Sequence, residues 1–408
     1  MSTTMPPRSR SVLRWVLMLG SLCALPAFTV DMYLPALPQV AEDLASTDAM
    51  AQVTVSCMLI GGAVGQIVIG PLSDRFGRRR PLLVGLALHV VTSLLCALVT
   101  DMPMLIALRL LQGFFNSAAA VAAVAIVRDR FVGAEAARIL SRLMLVIGVA
   151  PMFAPTVGTL VLAVASWRWV FVALALIGAV LAVVVLKVMP ETHAPESRTT
   201  GGVGAAALRG YTTLLRDRHF IALAVVPGLG FGVLMAYVVS SPVVFQEGYG
   251  LTQGQYALLF GVNGLGLVLS AQLNAALVRR VAPIRLLRLG IVAQAIISVV
   301  LLGVAITGFG GLAGLLVVLW LVLAFQGLIP SNASALALSR HGEIAGTAAA
   351  MIGAIQSLVA GVVSPLAGFL GSTATSMAAV MVVALALAIV VLAVATPAFR
   401  KGGWHLPV

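Results

Sequence analysis

One acidic residue, Asp31, lies inside a long apolar stretch, in the segment TVDMYLPALP. A carboxylate at the centre of a membrane helix costs about 2.5–3.5 kcal/mol, so such a group normally faces a cavity or a partner. Burial also favours the protonated form of a carboxyl group. We therefore predict that Asp31, near the outer end of its stretch, binds and releases a proton. The alternative is an ordinary boundary acid in the headgroup zone.

A second polar group interrupts another apolar stretch, LIALRLLQGFFNSAAA. Arg109, Gln112 and Asn116 fall on one face of a helix there. A buried arginine without a partner is strongly unfavourable, so we expect Asp31 or a water network to compensate its charge. The stripe favours a role of Arg109 in proton coupling, and a purely structural bridge between helices is the alternative.

The elements that hold these residues are membrane helices. The chain has 408 residues, of which 61% are hydrophobic and 9% charged, with a mean hydropathy of +1.10. A soluble domain carries about 25% charged residues, so lipid must cover this surface. Backbone hydrogen bonds must be satisfied internally in lipid, which predicts helices. We predict twelve spans, at 13–37, 50–72, 82–100, 103–127, 139–163, 168–189, 219–246, 255–278, 286–307, 312–338, 346–372 and 374–399.

The positive charges predict the orientation of these spans. All 25 lysines and arginines except Arg109 and Arg168 fall at the N-terminus, in loops after even-numbered spans, or at the C-terminus with Arg400 and Lys401. This asymmetry predicts that both termini are cytoplasmic. The net charge of +12 is therefore a topology signal, and we expect no nucleic-acid partner.

The basic N-terminal segment resembles a signal peptide, but its apolar run continues to about Leu37 without a cleavage site, so we expect the first span to be retained. No HExxH pair or CxxC spacing is present, and no nucleophile–base pair stands out. We expect no catalytic residue, metal site or cofactor, which argues against a membrane enzyme. The absence of a GxxxxGK[ST] loop argues against ATP-driven pumping.

The longest hydrophilic stretch, 190–218, divides the chain into an N-terminal bundle at 1–189 and a C-terminal bundle at 219–408. The stretch reads as a cytoplasmic linker. The basic loop between spans eight and nine, from Arg279 to Arg288, is a degenerate echo of the loop GPLSDRFGRRRP at 70–81. Two related halves predict a transporter with its site at their interface near the midplane.

The loop at 70–81 predicts a charge cluster. Asp74 and Arg78 are four residues apart and can pair on a helical turn. Asp129, at the end of the fourth span, could complete the cluster. The alternative is that these charges only fix the topology.

Four segments resemble the major facilitator superfamily, and more narrowly its bicyclomycin- and chloramphenicol-resistance (Bcr/CflA-type) drug:proton antiporters. They are DMYLPALP at 31–38, GPLSDRFGRRRP at 70–81, LRLLQGFFNSAAA at 108–120 and APMFAPTVGTLV at 150–161. The resemblance implies an all-α integral membrane fold of twelve helices in two six-helix bundles, with Asp31 and Arg109 in proton coupling. The chain departs from the pattern at Ala154 and Thr159, where glycines are common.

The resemblance also implies three groups of functional residues. A cytoplasmic gate motif would comprise Gly70, Asp74, Arg75, Gly77 and Arg78 with Asp129, and would close that side in the outward-facing state. An antiporter motif would comprise Gly148, Pro151, Pro155 and Gly158. We expect the substrate pocket to be lined by Tyr33, Met58, Gln112, Asn116, Met144, Ile147, Leu234, Met235, Tyr237, Tyr256, Phe260 and Asn263.

The expected function is proton-coupled efflux of small lipophilic compounds, such as phenicol-type antibiotics, by a monomer in the bacterial cytoplasmic membrane. The partners would be the substrate, protons and lipid, and the proton gradient would supply the energy in place of a cofactor. Two alternatives stay open. One is a proton-coupled exporter of an endogenous sugar, peptide or siderophore. The other is a proton symporter for uptake, against which the antiporter motif argues.

Overall fold

The computed structural model describes residues 9–193 and 203–399, and this part of the chain is helical without strands. It contains twelve helices long and apolar enough to cross a membrane. Arg8, Arg198, Arg400 and Lys401, which contributed to the predicted orientation, lie outside the described residues, as do residues 194–202 of the predicted linker. Spans 1 to 12 are Leu13–Asp43, Asp48–Phe76, Arg79–Leu98, Met102–Arg130, Arg138–Leu162, Arg168–Val188, Arg218–Gly248, Gln253–Leu277, Pro283–Thr307, Gly311–Leu338, Ala345–Phe369 and Ala374–Ala395.

Several spans are interrupted. Span 1 consists of helices Ser9–Asp31 and Leu37–Asp43 joined by a 3-10 turn at Leu34–Ala36. Span 10 divides into Gly311–Gln326 and Ile329–Leu338, and span 11 into Ala345–Val363 and Leu366–Phe369. Span 7 is the helix Arg218–Pro242 followed by a π-helical turn, Val243–Gly248. A proline stands at or next to each of these breaks, as expected because proline lacks the N–H that would continue the hydrogen-bond ladder.

The twelve spans form two six-helix bundles with matching packing. In the first bundle span 2 packs against span 4, span 1 against span 5 and span 3 against span 6. In the second bundle the equivalent pairs are 8 with 10, 7 with 11 and 9 with 12. The bundles meet where span 2 contacts span 11 and where span 5 contacts span 8. The same pairing in both halves is the pattern of an internal structural repeat.

Two ends of the molecule are distinguished by their loops. We call the end that carries Arg75 to Arg80 the basic face, and the end that carries the span 1–2 and span 11–12 loops the opposite face. On the opposite face, Arg168 donates to the Asp43 carboxylate at 2.9 Å, and Trp167 donates to the same oxygen at 2.8 Å. The one basic residue predicted to lie on that side therefore ties span 6 to span 1.

The stretch predicted as a linker is helical from Val203 to Arg216. The Tyr211 hydroxyl donates to the Ile67 carbonyl of span 2 at 3.1 Å, and Leu214 is fully buried. This helix also contacts span 11. It therefore packs against both bundles.

Candidate functional site

Asp31 is the last residue of the first helix and lies well inside span 1, because the span continues through the 3-10 turn to Asp43. The span thus ends six residues beyond the predicted limit at Leu37, which places Asp31 farther from its end than expected. Asp31 is 4% exposed, and none of the ion pairs among the described residues includes it. The 3-10 turn Leu34–Ala36, three residues after Asp31, contacts the span 7 helix of the second bundle. Asp31 is thus a buried carboxyl group next to the other bundle.

Arg109 is fully buried in span 4, and its partner is a backbone carbonyl rather than Asp31. Its Nη1 and Nη2 donate to the Thr29 carbonyl at 3.2 and 3.3 Å. That carbonyl is available because the Tyr33 N–H bonds to the Val30 carbonyl instead, at the helix break. The expected compensation of Arg109 by Asp31 is therefore absent from this conformation. Arg109 instead caps the broken helix two residues before Asp31.

Two aromatic rings and a glutamine complete the surroundings of Arg109. Its guanidinium carbon lies 4.7 Å from the Tyr33 ring centroid and 5.6 Å from that of Phe171. Such cation–π contacts are worth about 2 kcal/mol when desolvated, which offsets part of the cost of burial. Nη1 also donates to Gln112 Oε1 at 2.6 Å, and Gln112 Nε2 donates to Ser93 Oγ at 2.7 Å. Gln112 therefore holds the guanidinium in place from one turn along the helix.

Asn116, the third member of the predicted stripe, is 2% exposed, and neither atom of its amide has a hydrogen-bond partner among the described residues. Buried polar groups are normally paired, and an orphan amide marks a place where a ligand or water can bind. Along the stripe, Arg109 and Gln112 are hydrogen-bonded through the Nη atoms and the amide, although Arg109 Nε has no partner among the described residues, whereas the whole Asn116 amide has none.

Four of the predicted pocket residues of the second bundle, Tyr237, Tyr256, Phe260 and Asn263, form one cluster. Asn263 Nδ2 donates to the Tyr237 hydroxyl at 3.0 Å, and the Tyr256 hydroxyl is 3.0 Å from Ser241 Oγ. The rings of Tyr237 and Tyr256 lie 5.7 and 6.0 Å from that of Phe260. All of these side chains are buried. The structure brings them together in the second bundle, where span 7 contacts the 3-10 turn that follows Asp31.

The other predicted pocket residues are more scattered. Met58 and Met235 are 4% and 6% exposed, and Leu234 is half-buried. Met144 and Ile147 are 55% and 38% exposed on span 5, so they are not part of the buried cluster. Tyr33 is buried within the first bundle, where its hydroxyl accepts a hydrogen bond from Thr54 at 3.1 Å.

The predicted antiporter motif lies on span 5, which contacts span 1 of the first bundle and span 8 of the second bundle. Pro151 and Pro155 lie inside the helix Gly133–Leu162. A Cβ on Gly158 would lie 2.2 Å from the carbonyl oxygen of Met32, the residue after Asp31. A Cβ on Gly148 would lie 4.0 Å from Val268 of span 8. The two glycines thus let span 5 approach the broken part of span 1 and face the second bundle.

The charge cluster predicted at the basic face is present. Arg78 Nε donates to Asp129 Oδ2 at 2.7 Å, Nη1 donates to the Asp74 carboxylate, and the Arg78 side chain is 8% exposed. Gly77 before it has φ of +87°, a conformation that favours glycine. Gly70 has open space around its Cα, and Arg75 is exposed. The contact between the three charges is confirmed, whereas the gate role remains a prediction.

Glu191 also belongs to the cluster at the basic face, and the sequence interpretation missed this role. Its carboxylate accepts the backbone N–H groups of Arg78 and Arg79 at 2.8 and 3.2 Å, at the start of the span 3 helix. Burial alone would raise the pKa of Glu191, but hydrogen bonds from four backbone N–H groups outweigh it and lower the pKa below its ordinary value. No spacing in the sequence signals this contact, because Glu191 lies 113 residues from Arg78.

An apolar cavity of about 920 Å³ lies between spans 5 and 8. Met152, Phe153, Thr156, Ala257 and Val262 are among its lining residues. A second apolar cavity of about 750 Å³ adjoins Asn263 and Trp320 between spans 8 and 10. Both volumes fall in the range of drug-sized pockets, roughly 300–1,000 Å³, but both features are open at the surface, where they share the exposed side chains Leu258, at 71%, and Val262, at 51%.

Comparison with known proteins identifies the family of this architecture. The model of the Major Facilitator Superfamily matches residues 17–365. The MFS-type transporter YdgK of Bacillus subtilis, itself described as uncharacterized, is 35% identical over 92% of this chain and 94% of its own length. A bicyclomycin resistance protein homolog of Haemophilus influenzae is 30% identical over 88% of this chain and 90% of its own.

Further similarities are partial or limited to the fold. The multidrug resistance protein MdtL of Escherichia coli O157:H7 is 30% identical over 57% of this chain and 59% of its own length. The crystal structure of a D-xylose–proton symporter superposes with a TM-score of 0.72 at 16% identity, covering 93% of this chain and 97% of that one. The matched family model, the relatives and the twelve-span fold agree: this chain belongs to the major facilitator superfamily and is a multi-pass membrane transporter, not an enzyme.

Proposed function

We propose that this transporter exports small lipophilic compounds in exchange for protons, and that Asp31 carries the coupled proton. The observation that carries the proposal is the burial of Asp31 within span 1, without an ion pair among the described residues and three residues before the 3-10 turn that contacts span 7 of the second bundle. A carboxylate in such a place is unfavourable, whereas a carboxylic acid is tolerated. Opening of the site to water reverses this preference.

Alternating access links the proton to transport. When Asp31 is protonated, the two bundles can close around it; when it loses the proton, hydration or a bound substrate must compensate the charge. Arg109 keeps its hydrogen bonds to Thr29 next to Asp31, so the carboxyl group stays at a fixed place in span 1. A ligand shifts the two-state equilibrium only by its difference in affinity for the two states. Proton and substrate thus drive opposite steps through one site.

The cluster of Arg78, Asp74 and Asp129 would hold the basic face in one of these states. We propose that this face is cytoplasmic, because lysine and arginine concentrate in its loops. Both arginine contacts join spans 2, 3 and 4 within the first bundle. The cluster therefore sets the shape of that bundle's end, which must change when the face opens.

The surfaces between the spans favour lipophilic substrates. Both large cavities have apolar walls, and the few polar groups near them, such as Asn263, can accept or donate single hydrogen bonds. Relatives named for bicyclomycin resistance and multidrug resistance support the same class. We include phenicol-type antibiotics in this class, since they combine an aromatic ring with a few hydroxyl and amide groups.

A susceptibility panel in an efflux-deficient bacterial host tests the proposal. Wild type is expected to raise the inhibitory concentration of chloramphenicol and other lipophilic drugs, and Asp31→Asn is expected to lose this effect. Glu42→Gln, an exposed acid of the same span, is the matched control and is expected to keep it. Equal resistance from wild type and Asp31→Asn, at equal expression, would contradict the proton role. A panel without any resistance would favour an endogenous substrate.

A further inference from the structure

Ser372 has an unusual backbone conformation at the opposite face. Its φ is +52°, in the left-handed region, and it follows Gly371 with φ of +107°. Its N–H bonds to the Ala367 carbonyl at 3.0 Å, which closes the short helix Leu366–Phe369. Residues with a Cβ are strained in this region, and glycine is the usual choice. A strained non-glycine residue therefore points to a role for its side chain.

The Ser372 hydroxyl is bonded across the interface between the bundles. Gln52 Nε2, in span 2, donates to Ser372 Oγ at 3.2 Å. Gln52 is fully buried and Ser372 is 8% exposed, so water does not compete for this bond. Gln52 Oε1 is buried as well and has no hydrogen-bond partner among the described residues. The amide is thus half satisfied in the closed arrangement.

The backbone around this bond is shaped to bring the bundles close. A Cβ on Gly368 would lie 2.5 Å from Gln52 Oε1 and 3.0 Å from Ala49 Cα, so only glycine allows this approach. Deeper along the same two spans, Ser56 Oγ and Ser364 Oγ lie 3.0 Å apart. The contact of Gln52 with Ser372 is therefore the end of a continuous polar seam between spans 2 and 11.

We propose that Gln52 and Ser372 form a latch that keeps the opposite face closed and that opens when the bundles separate at this end. The inference rests on the alternating access of the proposed function. Separation costs one buried hydrogen bond, but it also hydrates the orphan Gln52 oxygen, which burial leaves unpaired. The two terms oppose each other, so the closed and open arrangements stay close in free energy.

Cysteine labelling of purified protein in detergent tests the latch. The reporter is Ser364→Cys, buried in the seam, in a background whose three native cysteines are replaced by alanine. We expect Ser372→Ala to speed the reaction with a water-soluble maleimide by about 5-fold, the factor that corresponds to one ordinary hydrogen bond. Gln52→Leu removes the orphan oxygen together with the hydrogen bond, so it is expected to change the rate less than Ser372→Ala does. Ser372→Gly is expected to give the same acceleration as Ser372→Ala together with a higher melting temperature, because it also relieves the backbone strain.

The control is Ser298→Ala, which removes a fully buried serine hydroxyl bonded within its own span at 2.8 Å. It is expected to lower the melting temperature without faster labelling. Unchanged labelling in Ser372→Ala would overturn the latch, and so would equal acceleration in Ser298→Ala, which would mean general loosening. Labelling requires neither substrate nor proton gradient, so its outcome is independent of whether proton-coupled export holds.

Discussion

The cluster at the basic face gives a quantitative prediction, because its two ion pairs differ in exposure. The Asp129 side chain is 17% exposed and that of Arg78 is 8% exposed, so their 2.7 Å bond is largely shielded from water. Asp74 is 51% exposed, and its pair with Arg78 is screened by solvent. A shielded hydrogen bond to a charged group contributes about 1.5–3 kcal/mol, whereas an exposed ion pair contributes about 0–1 kcal/mol.

Arg78→Ala is therefore expected to destabilise the protein by about 2–4 kcal/mol, since it removes both bonds and leaves Asp129 without its main partner. Asp129→Asn should have the next largest effect and Asp74→Asn only a small one. Arg80→Ala is the matched control, because it removes an exposed arginine from the same loop. Melting temperatures of the purified variants in one detergent measure the order. An Asp74→Asn effect as large as that of Asp129→Asn, or equal losses for Arg80→Ala and Arg78→Ala, would refute the reasoning.

Two further predictions concern packing and pH. Glu191→Gln is expected to lower the melting temperature at pH 7, because the hydrogen bonds to the Glu191 carboxylate lower its pKa in the folded state. The difference in melting temperature from wild type should be complete above the ordinary pKa of 4.5. It should vanish as the pH falls through the lower folded-state pKa. A pH-independent difference would contradict this. Gly113→Ala is expected to prevent close packing of spans 2 and 4, since its Cβ would lie 1.9 Å from the Met58 carbonyl oxygen, at a cost of about 1–3 kcal/mol or more. Gly303→Ala, which meets only open space, should leave the melting temperature nearly unchanged, and similar losses in both would argue against the steric explanation.

Much of the architecture could be predicted from the sequence, because the length of each apolar stretch determines where a span lies. Each of the twelve predicted spans has a counterpart, and most boundaries agree within a few residues. The main exception is span 1, which the structure extends to Asp43. Pro35 and Pro38 lie in the first turns of new helical segments inside the span, so they continue it instead of ending it. The distance of Asp31 from the end of span 1 is therefore larger than the predicted limit at Leu37 implied.

The site could be predicted in its residue types but not in all its contacts. The four-residue spacing of Asp74 and Arg78 fixed their pairing, since it is local to one turn. The partner of Arg109 could not be predicted from the sequence. It is the backbone carbonyl of Thr29, which is free only because the helix of span 1 is interrupted after Asp31. Glu191 and Gln52 were missed for a different reason. Their partners lie far away in sequence, and no spacing rule connects them.

The central claim is that Asp31 carries the proton that drives export, and proton flux in proteoliposomes tests it most directly. Wild type and Asp31→Asn are reconstituted with a pH-sensitive dye inside, and chloramphenicol is added in the presence of an imposed proton gradient. We predict drug-dependent proton movement for wild type and none for Asp31→Asn, with drug binding retained by the variant. Equal drug-dependent proton flux in both proteins would contradict the claim.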